Sequence, residues 1–228
     1  PDRPGIWFAV DPHVHSHLGS NDAGHSSSIE TIASTATERD LALVIITDHS
    51  NSAGSMDCPS GDVEDCINQG PEFPASDAIS LESTDGMTVQ VGVEISPVHS
   101  LEPTATPTGH IGCLPTASDS FKSVTDPVID RPTGTVPGGD GVEWCHNQGG
   151  FAVVNHPYSI AGWLNYDWSS MNYDAIEVFN GSGLFDGGDW HALQAWACDV
   201  ANGRRTVPLG GSDTHEAEVT LTWTDAEP

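Results

Sequence analysis

Positive charge is the scarcest feature of this 228-residue chain: six Lys and Arg stand against 33 Asp and Glu, a net charge of −27, and Lys122 is the single lysine. Such a surface repels phosphate backbones, so nucleic acid bound through a basic face is not expected as a partner. The acid excess reads first as a solubility adaptation of the kind seen in proteins that live in salt. A smaller share is expected to surround bound cations. No apolar run approaches the roughly 20 residues that span a bilayer, so no membrane span is expected. A Gly-x-Ser-x-Gly elbow is also missing, which removes a serine hydrolase of that type, and there is no internal repeat at a fixed period.

Cysteine is sparse and irregularly spaced. Cys58, Cys66, Cys113, Cys145 and Cys198 show no repeated Cys-x-x-Cys spacing, which excludes a zinc finger. Disulfides fit better: Cys58 with Cys66 across a polar loop, and Cys145 with Cys198 between two predicted helices, leaving Cys113 buried in an apolar run. This favours an extracellular or periplasmic location, with the cytoplasm of a high-salt organism as the alternative. The start at Pro1, with neither Met nor leader, is read as the loss of an upstream segment.

What is present argues for a folded chain. Apolar residues make up 37% and there are seven Trp, enough for one α/β domain over residues 1–228. Ile6–Val10 is an apolar run leading to the first histidines. Ser28 is a predicted N-cap for a helix to about Asp40, and Ala42–Thr47 is a buried strand ending at Asp48-His49. Thr88–Glu94 and Ile111–Leu114 read as further strands. Helix then covers Gly141–Gln148, strand Phe151–Asn155 and Ala175–Phe179, helix about Gly188–Ala201, and strand Val207–Gly210. Residues 50–76 and 115–141 are rich in Ser, Gly, Pro, Thr and Asp and form two long loops.

The chemistry sits at the ends of the strands. His13 and His15 are two residues apart, so on a strand both face the same side and can share one metal. That pair alone would mean little. It is joined by Asp48-His49, Glu94, His110, His156 and Asp213-x-His215, so six of the eleven histidines lie at strand ends. α/β barrels place their sites at that mouth. A mixed nitrogen and oxygen set suits Zn, Mn or Fe rather than Ca or Mg.

Taken in order, Asp11-Pro12-His13-Val14-His15-Ser16, Ile46-Thr47-Asp48-His49, Gly92-Val93-Glu94, Gly109-His110, Asn155-His156-Pro157 and Gly211-Ser212-Asp213-Thr214-His215 resemble the PHP family, the polymerase and histidinol phosphatase metallohydrolases. Leu114-Pro115 after Gly-His, and Ile176-Glu177-Val178-Phe179-Asn180-Gly181, are similar to the CehA/McbA-type branch. The resemblance implies a distorted seven-stranded (β/α) barrel with two or three divalent ions. His13, His15 and Asp213 would hold the first ion and His110 and His156 the second, with Glu94 bridging. His49, His215 and Asp22 would hold the third, with His25 as the alternative to Asp22.

Ions of such a pair share a hydroxide, so no side-chain nucleophile is required. Asp11 and Asp48 are expected to orient the ligand imidazoles, or else to act as capping residues. His17 and His25 could donate a proton to a leaving group or touch a phosphate, though either could simply be exposed. Asn180 faces the same mouth as a substrate contact, or makes a turn with Gly181. Arg204 and Arg205 suit a helix C-terminus better than a phosphate clamp. The resemblance makes a small phosphoester the expected substrate. A carboxylester, carbamate or amide is the alternative, and a non-catalytic metal-binding secreted module is the competing class. Oligomeric state is not legible.

Overall fold

In the computed structural model the described residues are 8–17, 19–20, 23–49, 87–97, 109–117, 136–158, 168, 172–181 and 185–217. The first part runs β1 (Val10–Val14), α1 (Ile29–Glu38), β2 (Leu43–Ile46), β3 (Thr88–Val91) and β4 (Val93–Ile95). The second runs β5 (His110–Pro115), α2 (Gly138–Asn147), β6 (Gly150–Asn155), β7 (Ala175–Asn180), α3 (Gly187–Ala201) and β8 (Val207–Gly211).

Local chemistry explains the helices. The Ser28 hydroxyl accepts from the Thr31 amide, which caps α1, and Ile29, Ile32, Ala33 and Ala36 form its buried stripe. That stripe packs on Val14, Val44, Ile46 and Met87. Burying each Ile contributes about 1.5–3 kcal/mol. At α3 the Asp186 side chain and that of Asp189 satisfy each other's backbone in a reciprocal cap.

A seven-stranded (β/α) barrel does not form. Among the described residues eight strands fall into a three-stranded sheet, β1-β2-β3, and a five-stranded sheet, β4-β5-β6-β7-β8, and neither closes on itself. The two sheets part at Gly92, the single residue between β3 and β4. β3 pairs in parallel with β2, whereas β4 pairs antiparallel with β5, so one extended stretch serves both sheets. A Cβ at Gly92 would sit 2.5 Å from the Cys113 carbonyl oxygen, so only glycine allows this approach. β5 is antiparallel to β6 as well, although α2 lies between them in the chain, so the strands do not all run parallel as in a (β/α) barrel. Three helices are present among the described residues.

The sheets meet at two seams. At one, the amide of Gly92 donates to Ile46 O (2.8 Å) and that of Glu94 to Asp48 O (2.9 Å). At the other, the His15 amide donates to Thr214 O (3.0 Å) and the Asp213 amide to His13 O (2.9 Å). The seams bring the ends of β1, β2, β4, β6, β7 and β8 to one rim. β5 runs the opposite way, so its first residue, His110, lies at that rim opposite Asn155.

The cysteine expectation changes. Cys145 bonds to Cys113 rather than to Cys198, with the Cα atoms 5.6 Å apart. α2 packs on β5 and β6 while α3 packs on β7 and β8, so the buried face of α2 meets Cys113 and never Cys198. Cys198 is a free, exposed thiol. The pairing of Cys58 with Cys66 lies outside the described residues. The bridge closes a 32-residue separation inside the core formed with Val93, Ile95, Ile111, Val142 and Ala152. Cys113→Ser combined with Cys145→Ser should therefore lower stability by about 3 kcal/mol. In a thermal melt that corresponds to a Tm drop of about 6–12 °C, and an unchanged Tm would contradict a structural role for this bridge.

Candidate metal centre

His13 on β1 and His15 just past its end turn to the same side, both buried, with their Nε2 atoms 3.2 Å apart. Glu94 projects from β4 into the middle of the rim and is 1% exposed. Its Oε1 lies 3.1 Å from His13 Nε2 and 3.2 Å from His156 Nε2. Its Oε2 lies 3.0 Å from His110 Nδ1, 3.1 Å from His49 Nδ1 and 3.6 Å from His15 Nε2. Asp213 Oδ1 is 3.2 Å from both His13 Nε2 and His15 Nε2. His215 Nδ1 bonds the Asp213 carbonyl at 3.0 Å, and its ring stacks on that of His15 with centroids 4.2 Å apart.

The proton positions show what would fit here. Ser20 Oγ donates to Asp48 Oδ1, so it must accept from His15 Nδ1, 2.9 Å away. Burial pushes the His15 pKa down to about 3, which keeps the ring neutral at ordinary pH. With its one proton on Nδ1, the ring turns an Nε2 lone pair toward Asp213 and Glu94. Glu94 Oε2, meanwhile, is buried with the Nδ1 atoms of His110 and His49 at 3.0 and 3.1 Å and the His15 Nε2 lone pair at 3.6 Å. The His15 Nε2 lone pair thus faces the carboxylates of Asp213 and buried Glu94, acceptor against acceptor, an arrangement that costs about 1–3 kcal/mol per buried group when nothing lies between them. A divalent cation is the group that fits such a donor set.

Four overlapping sets have ligand atoms within 4.8 Å of one another. They are His13/His15/Glu94, His13/His156/Asp213, His49/Glu94/His110 and His15/His49/His215. His49 therefore stands with Glu94 and His110 as well as with His215.

Charge follows the same geometry. Burial opposes ionisation of Glu94, but His110 and His13 outweigh it and hold the carboxyl well below its ordinary pKa. Burial likewise works against a charged His13, yet Asp213, Glu177 and Glu94 raise its pKa well above the usual value. His156 is raised as well: burial is overcome by Glu94 and Asp213. For His110 burial dominates and brings the pKa to about 4. Asp213 is lowered against its burial, chiefly by His13 and His15. Two of these positions also carry strained backbone, since His156 (φ 26°) and Asp213 (φ 49°) sit at positive φ without being glycine.

The other predicted residues have definite places. Asp11 Oδ1 accepts from the amides of Ser212 (3.0 Å) and His13 (3.3 Å), tying β1 to β8. Asp48 accepts from Ser16 N and Oγ and from Ser20 Oγ, so it reaches His15 through a hydroxyl. Burial outweighs those bonds and raises the Asp48 pKa to about 6. Asn180 Nδ2 donates to Glu177 Oε2 (3.1 Å) and Asp213 Oδ2 (3.2 Å). His17 is half-buried and His25 exposed, their rings edge-on at 6.3 Å, and neither belongs to a ligand set. Asp22 lies outside the described residues. Arg204 pairs with Asp199 at 3.6 Å and lies over the Tyr173 ring, 4.5 Å from its centroid.

Sequence reasoning gave no role to Glu177, Asn155, Ser16 or Ser20. Asn155 Nδ2 donates to Glu94 Oε1 at 2.8 Å. Glu177 is buried between His13 and the His156 amide. Its signal was available: a lone acid within the apolar run Ala175-Ile176-Glu177-Val178-Phe179 is rarely buried without a partner. Two cavities reach the site. One, of about 480 Å³, runs from α1 to Asp213 and His215, and the other, of about 160 Å³, is lined by His156, Tyr158, Glu177, Asn180 and Asp189.

No protein family matches the sequence, and no curated protein does so. Solved structures match the fold. A lesion-specific endonuclease from Pyrococcus furiosus aligns at TM-score 0.56 and 14% identity over 92% of this chain and 49% of its own, so this chain spans about half the length of that enzyme. An amidohydrolase from Chromobacterium violaceum aligns at TM-score 0.52 and 20% identity, over 90% of this chain and 87% of that one. A candidate metal-dependent phosphoesterase from Bifidobacterium adolescentis aligns at TM-score 0.52 and 14% identity, over 93% and 90%. At these identities the likeness establishes a shared fold.

Glycine spacing gives a test of how tightly the site is built. A Cβ on Gly211 would lie 2.6 Å from His13 Cβ and 2.7 Å from Glu177 Oε1, whereas one on Gly187 would meet nothing within 4 Å. Gly211→Ala should cost about 1–3 kcal/mol of stability and weaken metal uptake. Gly187→Ala should be neutral in both chemical denaturation and metal titration. Equal behaviour of the two variants would contradict this geometry.

Proposed function

We propose that this chain is a metal-dependent hydrolase, most specifically a phosphoesterase acting on a small substrate at a site of two or three Zn, Mn or Fe ions. The observation that carries the reading is the inward-facing set of acceptors: the His15 Nε2 lone pair turned on Asp213 and Glu94 Oε2. When bound, divalent ions supply Lewis acidity and an activated water. The residues around them do the rest. Glu94 provides a buried negative charge central to the ligand sets, and Asn155 fixes the plane of that carboxylate. Asn180 holds Asp213 in place. Asp48, through Ser20, holds His15 with its Nε2 facing inward.

The phosphoesterase and endonuclease neighbours support attack at phosphorus, and the amidohydrolase neighbour supports attack at a carbonyl as the second reading. Because the endonuclease shares this fold, DNA is a substrate to be tested. The net charge of −27 supports a small ester over a polyanion. No helix among the described residues is long and apolar enough to cross a membrane. The buried Cys113–Cys145 bridge supports an oxidising compartment.

The test pairs metal analysis by mass spectrometry with a panel of a phosphomonoester, a phosphodiester, a carboxylester, an amide and a DNA duplex. Two or three equivalents of metal are expected, with phosphoester turnover lost to chelator and restored by Zn, Mn or Fe. Glu94→Gln should lower kcat/KM by more than about 100-fold, since metal activation supplies several kcal/mol. Turnover of the carboxylester or amide alone would select the second reading, and turnover that survives complete removal of metal would refute both.

A further inference from the structure

Among the described residues Glu177, like Asp48, is a buried carboxylate at this rim that belongs to none of the ligand sets, and unlike Asp48 it lies directly against a ligand imidazole. Its contacts are unusually specific. Oε1 is 3.1 Å from His13 Nδ1, Oε2 accepts from the His156 backbone amide at 2.8 Å, and Oε2 also accepts from Asn180 Nδ2 at 3.1 Å. His13 and His156 are the two imidazoles whose Nε2 atoms flank Glu94 Oε1. One side chain from β7 therefore touches the His13 ring on the side away from that oxygen and the backbone of His156.

We propose that Glu177 is the positioning residue of this centre: it fixes the ligand tautomer of His13 and the backbone geometry of His156 together. The inference rests on the metal reading given above. At His13, an acceptor on the Nδ1 side keeps that nitrogen protonated and leaves the Nε2 lone pair for an ion. At His156 the main chain is held at φ 26°, a region that a residue with a side chain rarely adopts, and the bond from its amide to Glu177 helps to hold it there. Coupling the two through one carboxylate fixes the spacing between imidazoles delivered by β1 and β6.

An isosteric amide separates positioning from simple packing. Glu177 offers two acceptor oxygens to three N–H groups, Oε1 to His13 and Oε2 to the His156 amide and Asn180, whereas Gln offers one acceptor and one donor. Turned toward the His156 amide, the NH2 group would set donor against donor on a backbone that has no second tautomer. Turned toward His13, it is accommodated once the imidazole moves its proton to Nε2. Glu177→Gln should therefore keep the His156 bond and convert His13 into a ring that cannot ligate.

The experiment uses zinc alone as the probe, on the full chain. Long-range 1H–15N spectra of the zinc-loaded wild type should show His13 protonated on Nδ1 and ligated through Nε2. Glu177→Gln should bind its weakest-held zinc about 10–100-fold less tightly in chelator competition, with the His13 proton on Nε2. Retention of wild-type stoichiometry and affinity in Glu177→Gln would overturn the inference. Should that variant fail to fold, the wild-type spectrum decides, because ligation of His13 through Nδ1 would overturn it too. A wild type that takes up no zinc would overturn this inference and the metal reading together, whereas a loaded wild type with an unaffected variant overturns this inference alone.

Discussion

A carboxylate 1% exposed, with five imidazole nitrogens between 3.0 and 3.6 Å of its two oxygens, is the constraint around which this protein is organised. Taking Glu94 out of water is expensive on its own. The surrounding histidines offset that cost only if their charges and protons are arranged to suit it. Much of the polar structure at the rim serves that end. Ser20 and Asp48 settle the proton of His15, Asn155 occupies one lone pair of Glu94, and Asn180 links Asp213 to Glu177. Removing any one of these groups would leave a buried polar atom without its partner, which is why they act as a network rather than as separate contacts.

The backbone makes this arrangement possible through close approaches rather than through a regular barrel. Gly92 lets one extended stretch pass from the ladder of β2 to that of β5, and Glu94 stands two residues beyond the crossing. Gly211 allows β8 to lie against His13 and Glu177, and Gly19 sits where a Cβ would be 2.5 Å from the Asp48 side chain. The reversed direction of β5 matters in the same way, because it brings the start of that strand, His110, to the rim where the other strands end.

Much of this was legible in the sequence because strand ends announce themselves. An apolar run followed by His, Asp or Glu marks both the strand and the side chain it delivers, as at Leu43–Ile46 with Asp48-His49 and at Gly150–Asn155 with His156. The helix cap at Ser28 was readable for the same local reason, whereas the Asp186 cap of α3 was not foreseen. What was not legible is pairing. Periodicity does not tell whether β5 runs with or against its neighbours, nor that Thr88–Ile95 is shared between two sheets, and the expected barrel failed at those points. The cysteine pairing failed likewise, since it depends on which face of the sheet each helix covers. Glu177 shows the limit from the other side: the acid stood out in its strand, but the two groups it joins lie 164 and 21 residues away.

The seam between β1 and β8 links His13 and His15 to Asp213 and Thr214, near opposite ends of the described chain. Drawing such distant segments together carries the largest loop-closure cost in the molecule. A ribosome would therefore expose the first histidines long before the last ligands left its tunnel, and the half-made site would have nothing with which to complete itself. On the metal reading proposed above, ion uptake would belong to the finished polypeptide, and the metal supply where folding is completed would decide which element is loaded.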